Sequence, residues 1–425
     1  MEERPRKNFL QRWWRSILLF LSVFGPATIT AIADNDAGGV ATYSIAGAKL
    51  GYPILFLLPI LTLLLGVTQE MGMRLTIITR RGLADLIREK FGVRAALLMF
   101  GALLFANIGT LVTEISAVKV TSGMFGIPEI PAIIFIVALS FWVITRGSYK
   151  FTQNIMLFAS LLFVVYIFSA FKAQPDWGEA ISNLVYPHGV EFTPTYMREY
   201  LIIGLGVLGT TLTPWGQFFI SSFAYDKKIE KGKVHLSQME TYWGAFLTDF
   251  FSFFMIVATA TTLYKNGIAL DSGEQAALAI EPFAGKLAST LFSVGILNAG
   301  FMGLVIVSLT TAYAFAEFFG VSGSLDDDFK KSKTFFVLYG FQLVVAMLIV
   351  LIGKFDLFQI AVVTQMINAI ALPLVFYYLL KLANDENLMG EYKNNPFQRW
   401  FTTIASVVIF IASLVAVYSA IFAPV

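Results

Sequence analysis

Residues 25–52, GPATITAIADNDAGGVATYSIAGAKLGY, decide the fold, because an apolar stretch long enough to cross a membrane carries charges in its middle. Asp34 and Asp36 are followed closely by Gly38 and Gly39. One carboxylate at the centre of a bilayer costs roughly 2.5–3.5 kcal/mol. Glycine weakens a helix by about 1 kcal/mol, so the stretch predicts a helix that is interrupted here. The freed carbonyls would then face a cavity rather than lipid.

Carboxylates and freed carbonyls together form an oxygen-rich site, which suits a hard cation such as Mg²⁺, Ca²⁺ or Mn²⁺. The other interpretation is a kinked helix whose aspartates pair with neighbouring helices. Charged residues inside membrane segments are functional candidates by default, so we predict a cation site.

The composition places the whole chain in a lipid bilayer. Hydrophobic residues make up 57% of the 425 positions and charged residues only 14%, against about 25% charged in an average soluble domain. The chain has no cysteine, which excludes disulfides and thiolate ligands. We find no nucleophile with a base and no nucleotide-binding loop, so we predict no enzyme, no cofactor and no nucleic-acid partner.

At about 20 apolar residues per span, the sequence predicts an all-α polytopic membrane protein with eleven transmembrane helices. The predicted spans are 17–48, 53–78, 94–120, 129–147, 152–172, 196–224, 240–264, 283–319, 334–353, 357–382 and 400–422. The first and sixth are interrupted, at corresponding places in two sets of five, as in transporters built from inverted repeats. Residues 1–425 are therefore predicted to form one transmembrane domain. Its first repeat is 1–172, its second is 196–382, and 400–422 is an additional helix.

The distribution of basic residues predicts the orientation. Of the 30 Lys and Arg, 23 fall in segments that face the cytoplasm if the N-terminus is inside. An odd number of spans then places Val425 outside. Residues 1–15 are basic and precede a long span without a small-residue cleavage site, which favours a first membrane helix over a removed signal. We predict a multi-pass protein of the cell membrane, and we favour a monomer.

A second polar stretch, GLGVLGTTLTPWGQFFISS at 204–222, predicts the interruption of the sixth helix. Thr210, Thr211 and Thr213 precede Pro214, which has no amide hydrogen and therefore frees an upstream carbonyl. The hydroxyls and carbonyls are candidate neutral oxygen ligands. The alternative is a proline kink whose threonines bond back to their own helix. The pairing with the first interruption favours the functional interpretation.

Four acidic residues occur inside other apolar helices. Glu70 and Glu317 lie near predicted cytoplasmic ends, where pairing with Arg74 or a basic loop is the expected role. Glu114 and Asp249 lie deeper and are candidates for an ion or proton path.

Gln365 and Asn368 fall one turn apart on the tenth helix, where they either reach the site or bond to a neighbouring helix. His188 and His235 are both in predicted loops. The side chain most suited to proton transfer near neutral pH is thus missing from the predicted spans.

Several motifs carry a resemblance to a known family. The stretch 25–52 aligns without gaps, and Asp36-Ala37-Gly38-Gly39 stands where the family has Asp-Pro-Gly-Asn. LADLIREKFG (83–92), FGIP (125–128) and LMGEYKNN (388–395) also match. The chain resembles the Nramp family of divalent metal transporters. This resemblance implies two inverted five-helix repeats of the amino-acid-transporter (LeuT-like) type.

The departures from the family pattern concern its metal ligands and proton-relay groups. The metal-binding asparagine of the family is here Gly39, and its sixth-helix methionine, whose sulphur selects soft metals, is Thr213. The two family histidines of that helix are Trp215 and Ile220. One member of its third-helix acidic pair is Leu111, whereas Glu114 remains.

The glutamine with which the family closes over the ion in the tenth helix aligns with Ala371. A site without these groups leaves more room around the ion and offers it harder ligands. It suits Mg²⁺, which dehydrates reluctantly and usually keeps several waters.

The sequence is similar to the Nramp-related magnesium transporters, which implies secondary import of Mg²⁺, tolerance of Mn²⁺ and no strict proton coupling. We expect Asp36 to be the principal carboxylate and Asp34 a ligand or an acceptor for a metal-bound water. The predicted metal site comprises Asp36, Asp34, the carbonyls of Ala33 and Thr210 (by match to the family), Thr213, Gly39, Gly216 and Asn368. Glu114, Asp249 and Gln365 are candidates for an ion or proton path.

Three alternatives stay open at this point. One is an ordinary proton-coupled Mn²⁺/Fe²⁺ symporter in which Glu114 or Asp249 carries the proton. Another is a sodium-coupled carrier of a small cationic organic solute, and the third is a channel.

Overall fold

The computed structural model describes residues 25–268, 270, 285–353 and 357–422, and within them it contains helices and no β-strand. We number the α-helices in chain order. They are α1 Pro26–Ala33, α2 Ala37–Leu50, α3 Leu57–Thr79, α4 Leu83–Met124, α5 Glu129–Arg146, α6 Tyr149–Leu161, α7 Val164–Lys172, α8 Trp177–Asn183, α9 Pro194–Thr211, α10 Pro214–Asp226, α11 Val234–Thr262, α12 Lys286–Phe319, α13 Lys333–Ile352, α14 Leu357–Ala383, α15 Glu386–Met389 and α16 Pro396–Phe422.

The predicted all-helical membrane fold is confirmed. Nine helical segments of the described residues are long and apolar enough to cross a membrane. The first and sixth predicted spans are instead divided, into α1 with α2 and α9 with α10. Residues 17–24 of the first span and 283–284 of the eighth lie outside the described residues.

Both interruptions have local causes in the backbone. Asp36 leaves the helical conformation, with φ −60° and ψ 177°, so α1 ends before it and α2 begins after it. Thr213 is likewise extended, with ψ 137°, and Pro214 begins α10. Because proline has no amide hydrogen, it cannot donate to the carbonyl of Thr210 as a continuous helix would require.

The divided helices lie at the centre of the helix packing. α11 packs against α1, α2 and α3, and α14 packs against α2, α4 and α9. α12 packs along α4 and also contacts α1 and α2. α16 packs on the outside, against α14 and α9. The polar ends of the half-helices are thereby enclosed by continuous helices.

Helix boundaries differ from the predicted spans where polar segments are helical too. α4 begins at Leu83 rather than at 94, because 83–91 forms a helix that joins the membrane helix across a bend at Gly92, whose φ is 85°. The segment between the fifth and sixth predicted spans contains the short helix α8. Asp176 begins it by accepting a hydrogen bond from the amide of Glu179 at 3.0 Å.

α9 and α14 approach closely at Gly209. A Cβ there would collide with the Gln365 carbonyl oxygen and lie 3.0 Å from the amide nitrogen of Ala369. We predict that Gly209→Ala lowers the free energy of unfolding by about 1–3 kcal/mol, because the backbones would have to separate. Thermal unfolding in detergent measures this. Gly101→Ala in α4, which has nothing within 4 Å, is the control; equal stability of the two variants would contradict the packing.

Candidate ion site

The first interruption diverts two amides to a side chain of another helix. Glu114 accepts hydrogen bonds from the amides of Ala37, at 3.0 Å to Oε2, and Gly38, at 3.4 Å to Oε1. A continuous helix would direct these amides to the carbonyls of Ala33 and Asp34. The interruption therefore leaves those two carbonyls without these donors, while the buried amides stay satisfied.

Asp36 is the N-cap of α2. Its Oδ1 accepts the amide of Gly39 at 2.7 Å, and a negative charge at this end of a helix is favoured by the helix dipole. Its Oδ2 is buried and has no hydrogen-bond partner among the described residues. One oxygen of this carboxylate thus holds the helix, and the other is open to a ligand.

Asp34 connects the two interruptions. Its Oδ1 accepts the hydroxyl of Thr213 at 2.9 Å, and its Oδ2 accepts the side-chain amide of Gln69 in α3 at 3.0 Å. The same Thr213 oxygen accepts the amide of Gly216 at 3.1 Å and so caps α10. Both carboxylate oxygens of Asp34 therefore already have a donor.

Oxygen atoms approach Gly39 closely. A Cβ at this position would lie 2.9 Å from the Asp34 carbonyl oxygen, 2.9 Å from Thr210 Oγ1 and 3.5 Å from Asp36 Oδ1. Thr210 Oγ1 is buried without a hydrogen-bond partner among the described residues. Three oxygens from both interruptions thus surround one position that has no side chain of its own.

Gly216 is approached as closely on the other side of Asp34. A Cβ there would lie 2.7 Å from Thr213 Oγ1 and 3.0 Å from Asp34 Oδ1. Asp34, Asp36 and Thr210 are completely buried, and Thr213 is 1% exposed. The group is therefore closed off from both ends of the molecule.

The side-chain amides of Gln365 and Asn368, in α14, lie on the α2 side of the site. Gln365 Nε2 reaches the N-terminus of α2, where a Cβ at Gly38 would collide with it. Asn368 donates to Gln365 Oε1 at 2.8 Å and to Thr110 Oγ1 at 3.3 Å. Gln365 thus contacts α2, and Asn368 holds Gln365 and the neighbouring α4.

The two deeper acidic residues have different surroundings. Glu114 lies at the site, as the cap of α2 described above. Asp249 in α11 instead accepts the hydroxyl of Thr62 at 2.5 Å. Their participation in an ion or proton path stays a prediction.

The expected structural pairing of Glu70 is confirmed, since Arg74 Nε lies 2.6 Å from its Oε1. The expectation of a basic partner is wrong for Glu317. It accepts the hydroxyl of Ser222 at 2.6 Å and the amide of Ala84 at 3.1 Å. The amide at the start of α4 satisfies this carboxylate in place of a cation.

Sequence reasoning missed two residues that position the aspartates. Gln69 was overlooked beside Glu70, although an amide inside an apolar helix is itself a signal. Asn35 lies between the aspartates, donates to the Thr248 carbonyl at 3.0 Å and accepts from Ser252 Oγ at 2.8 Å. These bonds hold the interrupted segment to α11.

Residues that replace the family's relay groups are apolar in their contacts. Ile220 packs in a cluster with Met73 and Ala224. Leu111 and Trp215 are fully buried. Within the described ranges, no group of three or more His, Cys, Asp or Glu side chains is arranged to hold a metal ion. The candidate site therefore consists of two aspartates and neutral oxygens, with the Glu114 carboxylate beside it as the cap of α2.

Two divided helices that meet at a buried polar site define this protein as a membrane transport protein of the inverted-repeat class. The family model Nramp, described as natural resistance-associated macrophage protein-like, matches residues 27–419. The chain belongs to the Nramp family, and it is a transporter and not an enzyme.

Individual proteins agree with this assignment. The divalent metal cation transporter MntH of Bradyrhizobium diazoefficiens is 23% identical over 419 residues, which cover 95% of this chain and 89% of that protein. A mutant of the Eremococcus coleocola manganese transporter superposes with a TM-score of 0.78 at 20% identity, over 99% of this chain and 89% of that one. The nucleobase–cation symporter Mhp1 superposes with a TM-score of 0.57 at 15% identity, over 92% of this chain and 90% of that one.

The contacts of Glu114 generate a test of the interrupted segment. Glu114→Ala would leave the amides of Ala37 and Gly38 buried without an acceptor, at a cost of about 1–3 kcal/mol for each unsatisfied group. We predict a clear loss of thermal stability in detergent. Glu129→Ala, at the half-exposed start of α5, should leave the unfolding temperature unchanged. An equal effect of both substitutions would show that Glu114 does not hold α2.

Proposed function

We propose that this protein is a secondary transporter that imports Mg²⁺, and also Mn²⁺, as a largely hydrated ion by alternating access. Membership of the Nramp family supports divalent metal transport. The identity of the ion, its retained water and the absence of strict proton coupling are the parts proposed here. Family membership does not favour a sodium-coupled carrier of organic cations.

The convergence of oxygen atoms on Gly39 is the observation that carries the proposal. Mg²⁺ takes oxygen ligands and is usually held by one or two carboxylates while it keeps several waters. The Asp34 carbonyl, the Thr210 hydroxyl and the Asp36 carboxylate approach Gly39 so closely that a Cβ there would lie 2.9–3.5 Å from them. At the family's methionine position, Thr213 offers an oxygen, and this oxygen bonds to Asp34. Oxygen ligands of this kind favour a hard ion.

The hydrogen bonds support different roles for the two aspartates. Asp36 is the principal carboxylate, because its Oδ2 has no partner among the described residues. Asp34 already accepts two side-chain donors, and it contributes charge and its backbone carbonyl. The carbonyls of Ala33 and Thr210 complete the proposed set, and Gly216 lacks a side chain that would crowd Thr213 and Asp34.

Alternating access follows from the burial of the site. The proposed cytoplasmic end contains a cavity of about 780 Å³ between α3, α10 and the segment after α12, lined by Arg80, Asp226 and Ser324 among others. The site residues do not line it, so the ion reaches it only after a rearrangement. We propose that α1 with α2 and α9 with α10 move with their repeats to open the site to each side in turn.

The driving force for import is the membrane potential. We place the N-terminus in the cytoplasm of a cell-membrane protein and the C-terminus outside, on the distribution of basic residues. An inward-negative potential contributes about 2.3 kcal/mol per charge per 100 mV, and hence about 4.6 kcal/mol for a dication. Trp215 and Ile220 stand where the family has histidines, which supports transport without a coupled proton.

The role of Asp36 is tested by Asp36→Asn in proteoliposomes. We predict at least a tenfold loss of Mg²⁺ uptake, because the amide can still cap α2 through its oxygen but no longer carries the charge. Fluorescent indicator inside the vesicles measures the flux. Glu129→Gln, a charge removed far from the site, should retain full uptake. Wild-type rates in Asp36→Asn would refute the site.

The selectivity argument is tested by Gly39→Asn combined with Thr213→Met. The asparagine crowds the oxygens around Gly39, and the methionine supplies a soft ligand, so both changes act against a hydrated hard ion. We predict that the preference for Mn²⁺ or Cd²⁺ over Mg²⁺ rises at least tenfold in competition uptake assays. Thr213→Ser retains the oxygen and should not alter the preference. An unchanged preference in the double variant would contradict the argument.

A further inference from the structure

A groove at the surface of the helix bundle holds a carboxylate that the proposed transport mechanism does not use. The groove has a volume of about 540 Å³ and lies between α3, α8 and α11. Its walls are apolar, from Leu58, Leu63 and Ile181 to Phe246 and Phe250 among others, and Asp249 lies within this lining. Its volume is within the range of about 300–1,000 Å³ that is typical of small-molecule sites.

Asp249 is buried but incompletely bonded. Its side chain is only 4% exposed. Oδ2 accepts the hydroxyl of Thr62 at 2.5 Å, whereas Oδ1 has no hydrogen-bond partner among the described residues. A carboxylate deep in a membrane helix costs roughly 2.5–3.5 kcal/mol. An oxygen without a donor in such a position indicates a missing partner.

The groove opens to the membrane-facing surface. Tyr242, Phe246 and Phe250 line it and are 40%, 47% and 37% exposed. A ligand can therefore enter laterally from the lipid rather than from water.

The aromatic wall suits a cation with apolar substituents. The rings of Phe246 and Phe250 are 5.7 Å apart, and those of Phe250 and Phe254 are 5.1 Å apart in an edge-on arrangement. Aromatic faces attract cations, with about 0.5–2 kcal/mol per contact. The lining of the groove contains no Lys or Arg that would neutralise Asp249.

The same lining excludes other classes of ligand. A hydrated inorganic ion would find one carboxylate and two hydroxyls, those of Thr62 and Tyr242, too few oxygens to replace its water. An anion would be repelled by Asp249. We propose that this groove is a binding site for a lipophilic organic monocation, with Asp249 as its counter-ion and the α11 phenylalanines as its apolar wall.

Binding of radiolabelled tetraphenylphosphonium to the purified full-length protein in detergent tests the proposal. This cation is bulky, apolar and unable to form hydrogen bonds. We expect binding that saturates at one equivalent and is displaced by excess unlabelled cation. Tetraphenylborate, an anion of the same shape, should not bind at this site. Binding that does not saturate would overturn the proposal.

Three variants locate the cation. Asp249→Asn retains an acceptor for Thr62, and it should weaken binding at least tenfold. Glu129→Gln is the matched control and should bind as the wild type does. Asp36→Asn should also retain binding, because it alters only the proposed ion site. Unchanged affinity in Asp249→Asn, or loss of binding in Asp36→Asn alone, would overturn the proposal. The assay contains no Mg²⁺, so its outcome is independent of the proposed ion selectivity.

Discussion

The structure depends on how an interrupted helix satisfies its buried backbone amides without water. In the first segment, Glu114 accepts the amides of Ala37 and Gly38, and Asp36 accepts that of Gly39. In the sixth predicted span, Thr213 accepts a hydrogen bond from the amide of Gly216. Because acidic and hydroxyl side chains supply the acceptors, every cap also brings oxygen to the midpoint of the bundle. The same bonds that permit the interruptions therefore build the site.

The two aspartates differ in the hydrogen bonds that they accept in this arrangement. Asp34 bonds to Thr213 of the second repeat and to Gln69 of its own repeat, so the bond to Thr213 is lost if the repeats separate. Asp36 keeps one oxygen open. In the proposed mechanism, ion binding at these residues depends on the relative position of the repeats, as alternating access requires.

The sequence predicted the elements that depend on strong local signals. Hydropathy located the spans, and the glycines with Asp36 and Pro214 located both interruptions. Contacts between distant helices were not predictable, because they depend on which faces meet. Gln69 gave no sign of its bond to Asp34, and Glu114 was expected on a path rather than as the cap of α2. Nor did periodicity show that residues 83–91 and the membrane-spanning part of α4 form one helix with a bend at Gly92.

The most direct test of the central claim is a crystal structure with Mn²⁺, located by its anomalous scattering. The account predicts one peak between the two interruptions, beside Asp36 and Gly39, with ordered waters completing the octahedral shell. Direct metal–oxygen distances are about 2.0–2.1 Å for Mg²⁺ in proteins, and most protein oxygens here should lie beyond such a distance. A peak elsewhere, or an ion bound by protein ligands alone, would contradict the account.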